Sequence, residues 1–346
     1  MPVNSATNAV FAKSRSKLGK CLTQKNYTDL SALNSIPEVV AYLKQHTWYK
    51  DALASVKDSA VHRGNLEKIL YTAVTDEISG LCSFEKSMGS QVMRFIDYKE
   101  EAKMILTFCR YFIAGDKSSF ITDVAFGTNF EINPLYNSLI SVNSFSEIGT
   151  VLKNTVFQKS ASLFCEADEF NYPLAEAEIY KTVFDIGFDS VSKYLHGSMR
   201  DEMYDLLALY TETKDIQMIC REKRFETDDT SRPELLLIGR RALLNERMLN
   251  DIINAPTIEA SLEVLWKTPY NKYKERFGFD DFSHFMDKIL YVNAAKKIHY
   301  SQNPCVVLFA FIIILEIEYY DLTTIIEGIR YSFDSDKITN MLISNI

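Results

Sequence analysis

An all-α fold is what this sequence predicts, on three observations. Proline and glycine are scarce, 8 and 12 among 346 residues. The runs 59–80, 92–114, 174–225 and 234–254 keep helical apolar spacing with few breakers, while strand-like runs such as SSFITDVAF are short and isolated. Finally, two different short motifs each return three times at a common interval. With 47% hydrophobic residues the chain can bury a sizeable core, and its length suggests two or three domains.

Taken in order, the N-terminal stretch MPVNSATNAVFAKSRSKLGK lacks the apolar core of a signal peptide. Its helix carries Lys13, Arg15, Lys17 and Lys20, which read as a polar face or as a contact to lipid headgroups or a partner. The first motif follows: SIPEVVAYLKQHTWY from Ser35, SFSEIGTVLKNTVF from Ser144 and TIEASLEVLWKTPY from Thr257. Each starts with a hydroxyl residue able to cap the free N–H groups of a new helix. Glu38 and Glu147, three residues on, add a capping box, which Ala260 removes from the third copy. Leu43, Leu152 and Leu265 are predicted to be equivalent buried positions, and a threonine and an aromatic close each copy: Thr47 and Tyr49, Thr155 and Phe157, Thr268 and Tyr270.

The second motif occupies 101–112, 214–225 and 320–331, each a helical piece with Arg110, Arg224 or Arg330 just before an aromatic. The offsets are 109 and 113 for the first motif and 113 and 106 for the second, so one period of roughly 110 residues describes both. The chain is predicted to be three similar helical modules, 1–127, 128–229 and 230–346. The three arginines either cap helix C-termini, where a cation is favoured, or line a shared opening.

Net charge is +3 over 1–127, −9 over 128–229 and −2 over 230–346. A negative field repels nucleic-acid phosphate and favours a basic protein partner. Glu176, Glu178, Asp201, Glu202 and Asp205 are the candidate contacts, solubility being the other use of such a face.

The final helix starts with ten apolar residues, Val306 to Leu315, and then meets Glu316, Glu318 and Asp321. A spanning helix needs about 20 mostly apolar residues, so this one is predicted to be buried in protein. Ile312, Leu315, Tyr319, Leu322, Ile326, Ile329 and Phe333 form a stripe for packing on other helices.

Catalytic chemistry finds no foothold. His46, His62, His196, His284 and His299 occur singly, without metal-ligand spacing. Cys21, Cys82, Cys109, Cys165, Cys220 and Cys305 lack a CxxC pair and read as free core thiols. AGDKSS around Lys117 lacks the glycine spacing of a phosphate loop. Glu166, Asp168 and Glu169, like Asp280 and Asp281, read as solvated loop charges. No catalytic, cofactor or metal residues are assigned.

The segments NAVFAKSRSKLGKCLTQKNYTDL, SIPEVVAYLKQHTWY, FIDYKEEAKMILTFCRYFIAG, KTPYNKY and FAFIIILEIEYYDLTTIIEGIRY stand in an order that resembles the C-type stalk component of bacterial and archaeal V/A-type ATPases, the counterpart of the d-type component in the vacuolar enzyme. Glu316, Glu318, Gly328 and Arg330 match that family's C-terminal pattern, whereas Tyr320 and Asp321 stand where the family often has a basic residue and an amide. The resemblance implies three helical modules arranged as a funnel. It implies a non-catalytic central-stalk component, peripheral on the cytoplasmic side of a membrane, that joins the central shaft to the membrane rotor ring without a cofactor. A free-standing helical repeat scaffold binding a basic partner is the alternative.

Overall fold

The computed structural model describes residues 5–57, 62–84, 88–123, 133–164, 170–225, 237–279 and 281–346, and contains no strand among them. The helices are α1 (Ser5–Leu18), α2 (Gln24–Ser31), α3 (Ile36–His46), α4 (Arg63–Phe84), α5 (Met88–Ile113), α6 (Lys117–Asp123), α7 (Pro134–Ser141) and α8 (Phe145–Leu152). They continue with α9 (Tyr172–Tyr194), α10 (Gly197–Phe225), α11 (Glu246–Asn254), α12 (Ile258–Leu265), α13 (Asn271–Phe277), α14 (Phe282–Tyr300), α15 (Pro304–Arg330) and α16 (Ser335–Asn340). Contacts gather the described residues into two compact units. One lies within 1–90, 121–131 and 291–346, the other within 91–120 and 132–290.

In the first unit α15 is the core, packed against α1, α2, α3, α4 and α16. Pro304 through Leu315 are buried without a break, as the apolar run predicts. Beyond Leu315 the polar residues do not all turn outward: Glu318 and Asp321 are 2% and 0% exposed. Gly328 marks a close approach, since a Cβ there would lie 2.6 Å from Ile338 Cγ1 of α16. Arg15 closes the end of α14 by donating to the carbonyls of Ile298 (3.0 Å), His299 (3.1 Å) and Ser301 (3.0 Å). A guanidinium suits carbonyls at a helix C-terminus because they carry the negative end of the helix dipole. One member of the basic cluster on the first helix therefore has a structural role.

In the second unit α9 packs on α10, and α10 and α11 pack on α12 around Ile216, Ile219, Leu265, Tyr270, Phe285 and Met286. Three sequence expectations change here. The run 174–225 is two helices, because Leu195 is extended and Gly197 takes φ +57°, a conformation suited to glycine. In the run 234–254 only α11 is helical among the described residues. The backbone from 237 to 245 leaves the helix because its N–H groups bond to buried carboxylates of α10. The strand-like SSFITDVAF is helical from 118 to 123, and its remainder lies outside the described residues.

Cys109, Cys220 and Cys305 are buried, while Cys21 and Cys82 are only half-buried, which corrects their reading as core thiols. Cys165, Glu166, Asp168, Glu169 and Asp280 lie outside the described residues.

Candidate functional site

The three copies of the first motif share one local geometry. The threonine hydroxyl donates to the leucine carbonyl four or three residues earlier: Thr47 to Leu43 at 2.6 Å, Thr155 to Leu152 at 2.8 Å, Thr268 to Leu265 at 2.6 Å. The same oxygen accepts from the aromatic residue's backbone N–H, from Tyr49 at 3.3 Å, Phe157 at 3.1 Å and Tyr270 at 3.2 Å. Each aromatic side chain is thereby turned inward to 0% exposure.

The caps differ more. Ser35 and Thr257 accept from the backbone of Glu38 and Ala260, but Ser144 makes no cap bond to backbone and donates instead to Glu147 at 3.0 Å. Glu38 and Glu147 accept from the backbone of Asn34 and Asn143, one residue before the expected partner. The expected box geometry is thus shifted by one residue in both copies.

Two long helices hold these inward turns with buried carboxylates. In the second unit Glu212 of α10, 0% exposed, accepts from the backbone N–H groups of Ala242 (2.8 Å), Leu243 (2.9 Å) and Leu244 (3.1 Å) and from the Tyr270 hydroxyl (2.8 Å). One turn on, Asp215 accepts from Ile238 N–H at 2.6 Å and Arg241 at 2.7 Å. In the first unit Glu318 of α15 accepts from Leu22 N–H (2.7 Å) and Trp48 Nε1 (2.8 Å), beside the buried Tyr49. Asp321 accepts from the backbone of Ile343 (2.8 Å) and Ser344 (3.0 Å).

Burial pushes the Glu318 carboxyl above its ordinary range, against the pull of its hydrogen bonds. Burial and the neighbouring Glu212 carboxyl hold the Tyr270 phenol well up. Hydrogen bonds to a charged group contribute roughly 1.5–3 kcal/mol each, and orphaned buried donors cost about 1–3 kcal/mol. These carboxylates are accordingly fasteners of the fold.

A sequence signal for them existed. Glu212 and Asp215 stand twelve and nine residues before Arg224, as Glu318 and Asp321 do before Arg330. The same offsets from Arg110 give Tyr98 and Glu101. Reading the motif only from its first residue, at 101, 214 and 320, left the position twelve before the arginine outside it.

The predicted partner-binding residues have differing surroundings. Arg110 is exposed, bonds Thr107 (3.3 Å) and stands 5.9 Å from the centroid of the Tyr172 ring. Arg224 pairs with Asp281 at 3.5 Å, and Arg330 pairs with Glu327 at 3.7 Å beside the Tyr331 ring. Glu176 pairs with Arg221 at 2.6 Å and Asp201 with Arg200 at 2.9 Å. Glu178 and Glu202 are half-buried and Asp205 is exposed.

A cavity of about 410 Å³ within the second unit brings Glu176 and Arg224 together with Lys99, Lys214, Arg221 and Asp281. Lys214 is tied there to Asp287 at 2.9 Å. Of the lining cations, Arg221 pairs with Glu176 and Arg224 with Asp281, while Lys99 stands 5.1 Å from the centroid of the Tyr210 ring. Lys117, the centre of AGDKSS, donates to the Val142 carbonyl at 2.6 Å. Among the described residues no three His, Cys, Asp or Glu side chains are placed to hold a metal ion, and no helix is long and apolar enough to cross a membrane. No curated protein matches the chain. A family model described as ATP synthase (C/AC39) subunit matches residues 10–341.

Proposed function

We propose, from the membership of this chain in the ATP synthase (C/AC39) subunit family, that it is the central-stalk part of a V/A-type ATPase that couples the rotating shaft to the membrane rotor ring. The family assignment carries the reading, because the match runs almost from end to end. In this role the chain catalyses nothing; it transmits torque as three helical modules, 1–127, 128–229 and 230–346, on the cytoplasmic side of the membrane.

The internal fastening suits that task. A coupling part must resist deformation under load, and packed helices tied by fully bonded buried carboxylates yield little. Glu212 gathers four donors from chain 30 to 58 residues away, and Glu318 gathers donors 270 and 296 residues away. The shaft and ring are the partners this role requires, and the acidic middle segment supports a basic surface on the shaft.

Purification of the tagged chain from its native membranes tests the proposal. Ring and stalk components recovered with it in fixed stoichiometry are the expected result. Recovery of soluble proteins alone, without ATPase components, overturns it.

A further inference from the structure

Glu101 of α5 stands at the position that Asp215 holds in α10 and Asp321 in α15, nine residues before the motif arginine. The three carboxylates are satisfied very differently. Asp215 has a backbone N–H and the Arg241 guanidinium, and Asp321 has two backbone N–H groups. Among the described residues Glu101 has one hydrogen bond, a long 3.3 Å contact from the Asn133 side-chain amide. Asn133 also caps α7 through its oxygen, with Leu135 N–H at 2.8 Å, so its amide is all it has left for the carboxylate.

Among the described residues, Glu101 lines an open groove. A groove of about 910 Å³ runs beside it between α5 and the 133–158 segment, walled by Tyr98, Leu135, Thr150, Val151 and Val156. Among the described residues Glu101 is the one charged side chain that lines it. Two substitutions between copies accompany the opening. Tyr98 stands where α10 and α15 have the fastening Glu212 and Glu318, and Phe157 stands where Tyr270 offers Glu212 a hydroxyl.

Glu101 brings the groove a carboxylate partly removed from water. Burial raises the Glu101 carboxyl from its ordinary range, and Asp97, one turn back, raises it further. Arg94 donates to the Tyr98 hydroxyl at 3.3 Å and does not line the groove.

We infer that this groove is a docking site for a segment of another protein of the assembly, which inserts a lysine or arginine to pair with Glu101 and lays an apolar side chain against Leu135, Val151 and Val156. The incoming cation does at Glu101 what Arg241 does at Asp215. The pairing is strong because the groove already removes the carboxylate partly from water. The inference rests on the chain's place in a multi-component assembly and adds the site and the chemistry of the contact.

A photo-crosslinking residue at Thr150, exposed on the groove wall, tests it in the complex purified from membranes. The expected product joins this chain to a different polypeptide, on a peptide containing lysine or arginine. Glu101→Gln should lower the yield by about tenfold while Glu101→Asp retains most of it, as for loss of a desolvated charge pair. A crosslinker at the exposed Lys193 serves as the control that neither variant should affect. Exchanging charges, with Glu101→Lys and a glutamate at the mapped basic residue, should restore the yield and shows that the variants are folded.

Crosslinking only to another copy of this chain, a mapped peptide without a basic residue, no product, or a yield indifferent to Glu101→Gln overturns the inference. If ring and stalk components co-purify but the groove captures none of them, the groove fails alone. If it captures a basic segment of a protein outside the ATPase, the groove stands and the rotary role falls.

Discussion

Leu43, Leu152 and Leu265 are each at most 1% exposed, seven positions after the first apolar residue of their helices. Replacing any of them by alanine removes buried methyl groups and leaves a cavity, so each change should destabilise the fold by roughly 2–5 kcal/mol. Chemical denaturation measures this, and a loss below about 1 kcal/mol at two of the three would contradict their equivalence. Glu318 makes a different kind of prediction. Burial holds its carboxyl above the ordinary range, so the folded chain binds that proton more tightly than the unfolded chain does. Its stabilising contribution is therefore full below the unfolded glutamate value, about 4.3, and is lost as pH rises toward the raised folded value. Trp48 donates directly to this carboxyl, and Trp266→Phe leaves Trp48 as the only indole in the chain. Its fluorescence should show a titration step above the ordinary glutamate range that Glu318→Gln abolishes. A step that survives this substitution would belong to another group.

At the scale of elements, α16 docks on α15 where Gly328 allows Ile338 to approach. Gly328→Ala should cost about 1–3 kcal/mol through overpacking, and Ile338→Ala in the same chain should recover part of that loss despite its own cavity. Simple additivity of the two changes in a double-mutant cycle would reject the contact as the reason for glycine. The helices themselves were legible in the sequence, because caps, apolar spacing and the Thr-aromatic turn are written within a few residues of one another. Gly328 was visible as a residue but its cause was not, since Ile338 belongs to another helix. The break at Gly197 and the irregular 237–245 segment were missed for a related reason. Local apolar spacing there reads as helix, and what overrides it in the second case is Glu212 and Asp215, more than twenty residues upstream. The paired carboxylates could have been found only by aligning the long helices on their arginines, for Glu212 by itself is indistinguishable from a surface glutamate.

For the whole molecule, the helical class follows from composition and periodicity, and the family from the order of soft motifs along the chain. Which charged residues meet a partner was not legible, because Glu176 and Asp201 already hold Arg221 and Arg200 while Asp205 is exposed. The proposal that Glu176, Glu178, Asp201, Glu202 and Asp205 steer a basic shaft has a kinetic signature. The screening length falls from about 10 Å at 0.1 M salt to about 3 Å at 1 M, so association should slow with salt far more than dissociation does. Stopped-flow binding of the purified shaft checks this, and an association rate unmoved by salt or by neutralising all five residues would leave the acidity as a solubility feature. Finally, the Arg15 clamp has a consequence for biosynthesis. Its carbonyl partners lie 283 to 286 residues downstream, so at roughly 5–20 residues per second they leave the ribosome about 15 to 60 s after it. The second unit ends at Leu290, before those partners exist. During that interval Val10, Leu30 and Leu43, all buried in the folded chain, lack helix α15, against which their helices pack. The first helices made are thus among the last to find their packing, which waits until α15 has emerged.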